Sequence, residues 1–222
     1  MRFLKEEIYK TIKKDIISCR LKPGAFIRET EFEDSLKVSR TPLREAFNKL
    51  EEEGWLKVIP KKGVQVKGLS LMSIAHTYEA RLLLEPFILN NYWDCLDINK
   101  FNQIEKKIEF LISKHGDRVS DDYIQSFFDL DDQFHRLICN ACNNEYLNKV
   151  LQHVDDEVER VRRQLGHNSR YLASAQEHLK VINAIKQDNK SAALKGLVVH
   201  IKRSQDVALK SISHRNIDYR TF

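Results

Sequence analysis

With 222 residues, 42% of them hydrophobic, the chain is long enough to build one or two domains with apolar cores. Its apolar runs fall short of the roughly 20 residues that a membrane-spanning helix needs. Its first residues lack the continuous apolar core of a signal peptide, and four cysteines are too few for a disulfide framework. These features predict a cytoplasmic protein without a membrane partner.

The positive charge is concentrated at the start of the chain. Residues 1–67 carry 16 lysines and arginines against 11 acidic residues, so they account for the whole formal charge of +5. The acidic and basic residues of 68–222 cancel. A basic domain beside a neutral one is typical of a nucleic-acid-binding protein with a separate second function.

The first segments predict two helices that lead into a third. Residues 4–19 carry an apolar residue at every fourth position, which predicts an amphipathic helix. Thr30 and Glu33 have the spacing of a capping box, so Thr30 is predicted as the N-cap of a second helix that ends near Lys37. The link to the third helix is very short, as in a helix-turn-helix.

Residues 39–53 predict the helix that contacts DNA. Its apolar residues follow the i, i+3, i+4, i+7 spacing of one buried face, and polar residues lie about 100° around the helix. Arginine and asparagine hydrogen-bond base edges, while arginine and threonine also bind phosphates. Ser39 and Thr41 are both candidate N-caps. The candidate DNA contacts of this helix are Ser39, Arg40, Thr41, Arg44 and Asn48.

The stretch after this helix predicts a β-hairpin with a basic tip. Apolar and polar residues alternate on both sides of a Pro-Lys-Lys-Gly turn, the apolar ones being Leu56, Val58, Val64 and Val66. Lys61, Lys62 and Gly63 at the tip are candidates to reach a phosphate backbone or a minor groove. A generic amphipathic helix followed by a hairpin has the same local pattern, but three helices before a basic hairpin favour a winged helix-turn-helix.

Residues 5–68 resemble the winged helix-turn-helix domain of the GntR family of bacterial transcription regulators. The matching residues are Pro23-Gly24, Ser39-Arg40-Thr41-Pro42, Arg44-Glu45-Ala46, Leu50-Glu51, Glu53-Gly54 and Gly63. The resemblance implies that DNA is met by Arg40, Thr41, Arg44 and Gly63. Many relatives also place an arginine contact near the start of the second helix. This chain has Thr30 there and Arg28 just before it, so both are candidate contacts.

The stretch 68–70 is the predicted domain boundary, because three of the four prolines precede it and helical patterns with short breaks follow it. The predicted domains are 1–68 and 69–222. Pro86 is predicted to begin or kink a helix. The helices of the second domain are predicted at 71–94, 98–114, 120–142, 145–165, 170–187 and 191–213. The predicted fold class is mainly α, a three-helix winged domain followed by an all-helical bundle.

Ionisable residues lie on the apolar faces of three of these helices. Asp131 and His135, four residues apart, share one face, while His178 and His200 each lie on the apolar face of another helix. A buried carboxylate costs several kcal/mol unless it is paired or binds a metal. Three imidazoles with one carboxylate suit Zn²⁺, Ni²⁺ or Mn²⁺. A hydrogen-bonded polar core is the alternative, and the residue pattern leaves both open.

From about Ser70 the chain resembles the FCD domain, the all-helical effector domain of the FadR-type branch of the same family, in its shorter VanR-like version. The matching residues are Arg81, Glu85, Asp131, Phe134, His135, Asn143, Asn144, Glu177, His178, Asp188 and His200. The resemblance implies a small carboxylic acid as effector and a divalent metal ion, Zn²⁺ before Ni²⁺ or Mn²⁺, held by Asp131, His135, His178 and His200. Arg81 matches a position near the pocket and is a candidate partner of the effector carboxylate. A salt bridge from Arg81 to Glu85 is the alternative.

These features together predict a homodimeric regulator, in this family more often a repressor than an activator, that binds double-stranded operator DNA and is controlled by a small carboxylate. A two-fold dimer requires a pseudo-palindromic operator. Two alternatives are open. One is a metal-sensing DNA-binding regulator without an organic effector. The other is a metal-dependent hydrolase attached to a DNA-binding domain, for which the sequence offers no convincing separate general base, so no enzymatic activity is predicted.

Overall fold

A computed structural model describes residues 2–116, 120–165 and 170–213. The segment 166–169 between two predicted helices, and residues 117–119 of the segment between 98–114 and 120–142, lie outside these residues. Contacts divide the chain between Ser70 and Leu71 into two compact units, and Glu159–Gln164 group with the first. Within the described part of the chain, no helix is both long and apolar enough to cross a membrane.

The first unit is built on three helices, α1 (Arg2–Ile17), α2 (Glu29–Leu36) and α3 (Arg40–Glu52). Both α1 and α2 pack against α3. The predicted apolar faces form the core, because the residues at i, i+4 spacing on α1 meet those on α3, namely Ile8, Ile12, Ile16, Leu43, Ala46, Phe47 and Leu50. The Phe32 ring of α2 meets the Phe47 ring edge to face, with their centroids 6.1 Å apart.

The predicted hairpin is confirmed as the strands β2 (Leu56–Ile59) and β3 (Gly63–Val66), which pair antiparallel. A third strand, β1 (Phe26–Ile27), pairs with the other edge of β3, so the sheet order is β1-β3-β2. The strand β1 was not predicted from the sequence. Gly63 opens β3 with φ +103, and a Cβ there would lie 3.4 Å from the Ile27 carbonyl oxygen, so the wing needs glycine at this position.

The start of α2 differs from the prediction. The N-cap is Arg28, in extended conformation and without a side-chain cap, and the helix begins at Glu29. Thr30 therefore lies inside the first turn, and the predicted capping box is wrong. Glu29 and Glu31 explain the earlier start, because carboxylates in the first turn interact favourably with the helix dipole. For α3 the N-cap is Ser39 rather than Thr41.

The elements of the second unit are all helices among the residues that the structure describes. They are α4 (Leu71–Asn91), a short 3₁₀ turn (Trp93–Cys95), α5 (Ile98–Ser113), α6 (Asp121–Cys139), α7 (Glu145–Leu165), α8 (Tyr171–Lys186) and α9 (Lys190–Ser213), with Glu159–Gln164 of α7 grouped with the first unit. Pro86 lies inside α4 and does not start it. The helix α6 ends at Cys139, three residues before the predicted end. With the winged unit, this confirms the predicted fold class.

The packing of α9 brings the ionisable residues together. It lies against α4 and α8, and α6 lies against α4, α5 and α8. At Gly196 the approach of α8 is so close that a Cβ would be 2.9 Å from Cγ2 of Val181. His200 is one turn beyond Gly196, and His178 is about one turn before Val181. The close contact therefore holds these two histidines on facing surfaces of α8 and α9.

Candidate metal centre and nucleic-acid interface

The four predicted metal ligands meet inside the second unit. Asp131 and His135 are one turn apart on α6, His178 lies on α8 and His200 lies on α9. One ligand atom from each residue can be chosen so that all four lie within 4.8 Å of one another. All three histidines are buried, and Asp131 is partly exposed. The sequence therefore named a cluster that the fold assembles from three helices.

The distances between the donor atoms match those around a tetrahedral ion. Nε2 of His200 lies 3.1 Å from Nε2 of His135 and 3.2 Å from Nε2 of His178. The Asp131 carboxylate is 3.4 Å from Nε2 of His178 and 3.9 Å from Nε2 of His135. Two nitrogens that are each about 2.0–2.1 Å from a tetrahedral Zn²⁺ lie roughly 3.3 Å apart. The cluster is thus able to hold a metal ion.

The tautomers of His135 and His200 leave their lone pairs facing each other. Nδ1 of His135 is 2.7 Å from the Glu85 carboxylate, and Nδ1 of His200 is 2.9 Å from the Glu177 carboxylate. Each Nδ1 therefore donates a proton, and each Nε2 is an unprotonated acceptor. Two acceptors at 3.1 Å repel each other unless a cation lies between them. This donor set consequently fits a metal ion better than a hydrogen-bonded core.

The buried environment keeps the imidazoles of His178 and His200 neutral. Burial, together with the nearby His200, lowers the pKa of His178 well below its ordinary value. Burial also lowers the pKa of His200 to about 4, although the hydrogen bond to Glu177 acts in the opposite direction. Neutral imidazole is the form that binds metals. At neutral pH these histidines therefore need no deprotonation to act as ligands.

A buried ion pair supports His135. Nε of Arg81 lies 2.6 Å from one Glu85 oxygen, and the other Glu85 oxygen accepts the His135 proton. Burial opposes ionisation of Glu85, but Arg81 and His135 outweigh it and lower the Glu85 pKa to about 2. The salt bridge that was the alternative for Arg81 is therefore formed. The contact between Glu85 and His135, which lie 50 residues apart, was not predicted from the sequence.

Glu177 gives His200 equivalent support. Its carboxylate accepts from His200 and from two arginines, Arg170 at 2.6 Å and Arg203 at 2.8 Å. Burial opposes its ionisation, yet these three hydrogen bonds lower the Glu177 pKa to about 2. Asp131 in turn accepts a hydrogen bond from the Ser174 hydroxyl at 3.1 Å. Partners that orient the ligands in this way are a general feature of metal sites.

All ten predicted DNA contacts are exposed in the first unit. Five lie on or just before α3, and the others lie at the start of α2 and at the β2–β3 turn, the ten being Arg28, Thr30, Ser39, Arg40, Thr41, Arg44, Asn48, Lys61, Lys62 and Gly63. The side chains of Arg40 and Arg44 form salt bridges with Glu33 and Glu29 of α2. Neither acidic partner was predicted from the sequence.

Known proteins are similar to this chain in sequence and structure. YdhC of Bacillus subtilis (strain 168), an HTH-type transcriptional regulator, is 29% identical over 196 residues, which cover 87% of this chain and 86% of YdhC. RspR of Escherichia coli (strain K12), an HTH-type transcriptional repressor, is 24% identical over 217 residues, which cover 96% of this chain and 92% of RspR. The solved Zn²⁺-bound FCD domain of TM0439 is 25% identical with a TM-score of 0.55, covering 66% of this chain and 99% of that one.

The family matches divide the chain in the same way. Residues 4–66 match the bacterial regulatory proteins of the gntR family, and residues 76–203, more than half of the chain, match the FCD domain. The relatives named above are transcriptional regulators and not enzymes. The chain therefore belongs to the GntR family, in the group with an FCD domain, and is a DNA-binding transcription regulator.

Proposed function

We propose that this regulator is a homodimeric repressor whose affinity for operator DNA is set by a small carboxylate, bound at a divalent metal ion in the second unit. The observation that carries the proposal is the donor cluster, in which two unprotonated Nε2 atoms face each other at 3.1 Å beside a third imidazole and a carboxylate. Sequence-specific binding by the first unit and effector binding by the second would then be two separate functions of one chain.

The DNA-binding part of the proposal assigns α3 to the major groove. Arg40, Thr41, Arg44 and Asn48 project from its exposed side, about 100° around the helix from the buried face that packs on α1. The β2–β3 turn, with Lys61 and Lys62, would contact the phosphate backbone. Ser39, Gly63, Arg28 and Thr30 would add contacts at the edges of this surface. The net positive charge of residues 1–67 supports the assignment.

Zn²⁺ is the ion we propose first, with Ni²⁺ and Mn²⁺ as the other candidates. Three imidazole nitrogens and one carboxylate oxygen form a donor set of intermediate softness, which Zn²⁺ favours. The Zn²⁺ bound by the similar FCD domain of TM0439 also supports this choice. When bound, such an ion would supply a positive charge and could coordinate an oxygen atom of an anionic effector.

Two features of the pocket support a carboxylate effector. Asp131 is the ligand open to solvent, with a side chain 16% exposed against 4% or less for the three histidines, so an effector would approach on that side. Among the described residues, Glu85 is the one hydrogen-bond partner of Arg81 and contacts only its Nε. The two terminal nitrogens of Arg81 are thus available to a carboxylate.

The homodimer part of the proposal is supported by apolar side chains on the surface of the second unit. Leu83 and Phe87 lie four residues apart on α4 and are 68% and 51% exposed, while Tyr146 and Val150 repeat the spacing on α7. Large apolar residues at this spacing form a stripe on one face of a helix. Pairing of such stripes between two copies would remove them from water.

Replacing Leu83 and Phe87 together by glutamate is expected to produce a monomer. Two charges placed in an apolar interface would have to be buried without partners, which is strongly unfavourable. Light scattering should give twice the 26.1 kDa chain mass for the wild type and a single chain mass for L83E/F87E. The matched control is Phe110→Glu, which changes a 59% exposed phenylalanine on α5 and should leave the dimer intact. If L83E/F87E is still a dimer, this surface is not the dimer interface.

Glu177→Gln is expected to weaken Zn²⁺ binding about 10- to 100-fold, the usual cost of losing a partner that orients a ligand. Glutamine keeps an acceptor near His200 but loses the charge that Arg170 and Arg203 stabilise. Competition with a chromophoric chelator measures the affinity. Glu105→Gln is a suitable control, because Glu105 is a buried acid that pairs with Lys186 and not with a histidine of the cluster. Equal Zn²⁺ affinity for all three proteins would exclude a role of Glu177 in the centre.

The whole proposal is tested by measuring DNA binding with and without metal. A duplex enriched by the wild-type protein from random sequences would be titrated by fluorescence anisotropy, using metal-free and Zn²⁺-loaded protein and a panel of gluconate, malate, succinate and lactate. We expect at least one acid to change the affinity of the Zn²⁺-loaded protein about 5- to 150-fold, the usual range of allosteric coupling. A change on Zn²⁺ removal alone, with no effect of any acid, would instead support a metal sensor without an organic effector.

A further inference from the structure

Two acidic residues of α2 face the two arginines of α3 in a matched arrangement. Glu29 and Glu33 are four residues apart, and so are Arg40 and Arg44. Glu29 lies 3.0 Å from Arg44, and Glu33 lies 3.1 Å from Arg40. Residues at i and i+4 lie side by side on a helix. The two pairs therefore form adjacent rungs between α2 and α3, which we call the α2–α3 ladder.

The ladder engages only one side of each guanidinium group. In both pairs the nitrogen that contacts the carboxylate is Nε, and Glu33 adds a second contact to the same Nε of Arg40 at 3.4 Å. Within the described residues, no other group bonds to either guanidinium. Nη1 and Nη2 of both arginines thus remain available to a ligand.

The four side chains of the ladder differ in their exposure to solvent. The glutamates are mostly covered, with 28% and 18% of their side chains exposed, whereas Arg44 and Arg40 are 63% and 68% exposed. The carboxylates thus lie against the protein, and the guanidinium ends face solvent. A bidentate contact to guanine O6 and N7 needs two guanidinium nitrogens in a fixed plane.

We propose that Glu29 and Glu33 are positioning residues for sequence recognition, holding Arg44 and Arg40 by Nε so that Nη1 and Nη2 of each reach a guanine edge. The proposal rests on the DNA-binding role given above to these arginines. A carboxylate that already restricts a long side chain reduces the rotamer freedom lost on binding. Two negative charges beside the arginines also repel DNA wherever the arginines lack a matching base. Both effects raise the preference for the operator over other DNA.

The test compares two variants with the same change of charge. E29Q/E33Q removes both carboxylates of the ladder. E31Q/D34N removes two negative charges from the same helix, at residues that do not contact Arg40 or Arg44. Each full-length protein would be titrated with a duplex enriched by the wild type from random sequences and with a shuffled duplex of equal composition. Thermal unfolding would check that each variant is folded. We expect both variants to fold, because exposed ion pairs contribute little to stability.

We expect E31Q/D34N to bind both duplexes more tightly by a similar factor, because it keeps both pairs of the ladder and, apart from the 3.9 Å contact of Glu31 with the exposed Arg28, changes only the general electrostatic attraction. For E29Q/E33Q, the affinity for the enriched duplex divided by the affinity for the shuffled duplex should fall about tenfold. This is part of the base discrimination that two bidentate arginine–guanine contacts provide. Equal changes of this ratio in the two variants would overturn the role of the ladder. A wild-type protein that enriches no duplex would overturn the DNA-recognition proposal itself, and the ladder's role with it. Glu33→Gln alone should relax the preference at one base of each half-site.

Discussion

Replacing Arg44 by alanine is expected to remove specific operator binding while the protein stays folded and dimeric. A bidentate arginine–guanine contact is worth about 1–3 kcal/mol, so the two copies in a dimer contribute roughly 2–6 kcal/mol, which corresponds to a change in affinity of at least about 25-fold. Arg44 is 63% exposed and its salt bridge to Glu29 is a surface pair, so its loss should change the free energy of unfolding by less than about 1 kcal/mol. Fluorescence anisotropy with an enriched duplex measures the loss.

Arg20→Ala provides the matched control for this prediction. Arg20 is an exposed arginine of the same unit and also has one surface ion pair, with Asp15. It lies outside α3 and the wing, so its replacement should lower the affinity for all DNA slightly and equally. If Arg44→Ala binds the enriched duplex with wild-type affinity and specificity, α3 is not the recognition helix.

Saturation with Zn²⁺ is expected to stabilise the protein strongly. A ligand that binds only the folded state at about 1,000 times its dissociation constant adds roughly 4 kcal/mol. For a domain of 150–250 residues, each kcal/mol raises the midpoint of thermal unfolding by about 2–4 °C, so the midpoint should rise by roughly 8–16 °C. The increase should be nearly absent in His200→Ala, because His200 is the donor in contact with both other imidazoles.

An exposed histidine distinguishes this effect from general binding of Zn²⁺ to imidazole. His76 lies on the exposed side of α4, so His76→Ala should keep the full Zn²⁺-induced increase. Calorimetry of metal-free and Zn²⁺-loaded samples of the three proteins makes the comparison. The same increase in His200→Ala as in the wild type would show that Zn²⁺ binds elsewhere, and the four-residue centre would be rejected.

Periodicity explains why the ligands could be predicted from the sequence. His135, His178 and His200 each occupy a position on an apolar helical face, and a face with that spacing has to turn inward. The pattern names such positions without any knowledge of how helices pack. It could not reveal Glu85 or Glu177, because their partnership with His135 and His200 depends on which faces of α4, α6, α8 and α9 meet. Those contacts are set by packing between elements distant in the sequence.

Two local features of the first unit were missed for related reasons. The strand β1 has only two residues, Phe26 and Ile27, too few for an alternating pattern, and it exists because β3 offers an unpaired edge. From the sequence, Glu33 was predicted to take part in a capping box and Glu29 had no predicted role. Only the crossing of α2 over α3 brings Glu29 and Glu33 to the arginines. In both cases the missing information was which elements are neighbours in space.

The most direct test of the metal centre is elemental analysis of the purified full-length protein, beside the variant Asp131→Ala/His178→Ala. These two residues lie on different helices and contribute two of the four donors, and one replacement removes the carboxylate that balances part of the ion's charge. We expect about one divalent ion per wild-type chain and almost none in the variant. A wild-type protein that contains no ion, even after incubation with Zn²⁺, Ni²⁺ and Mn²⁺, would contradict the account and leave the four residues as a polar core.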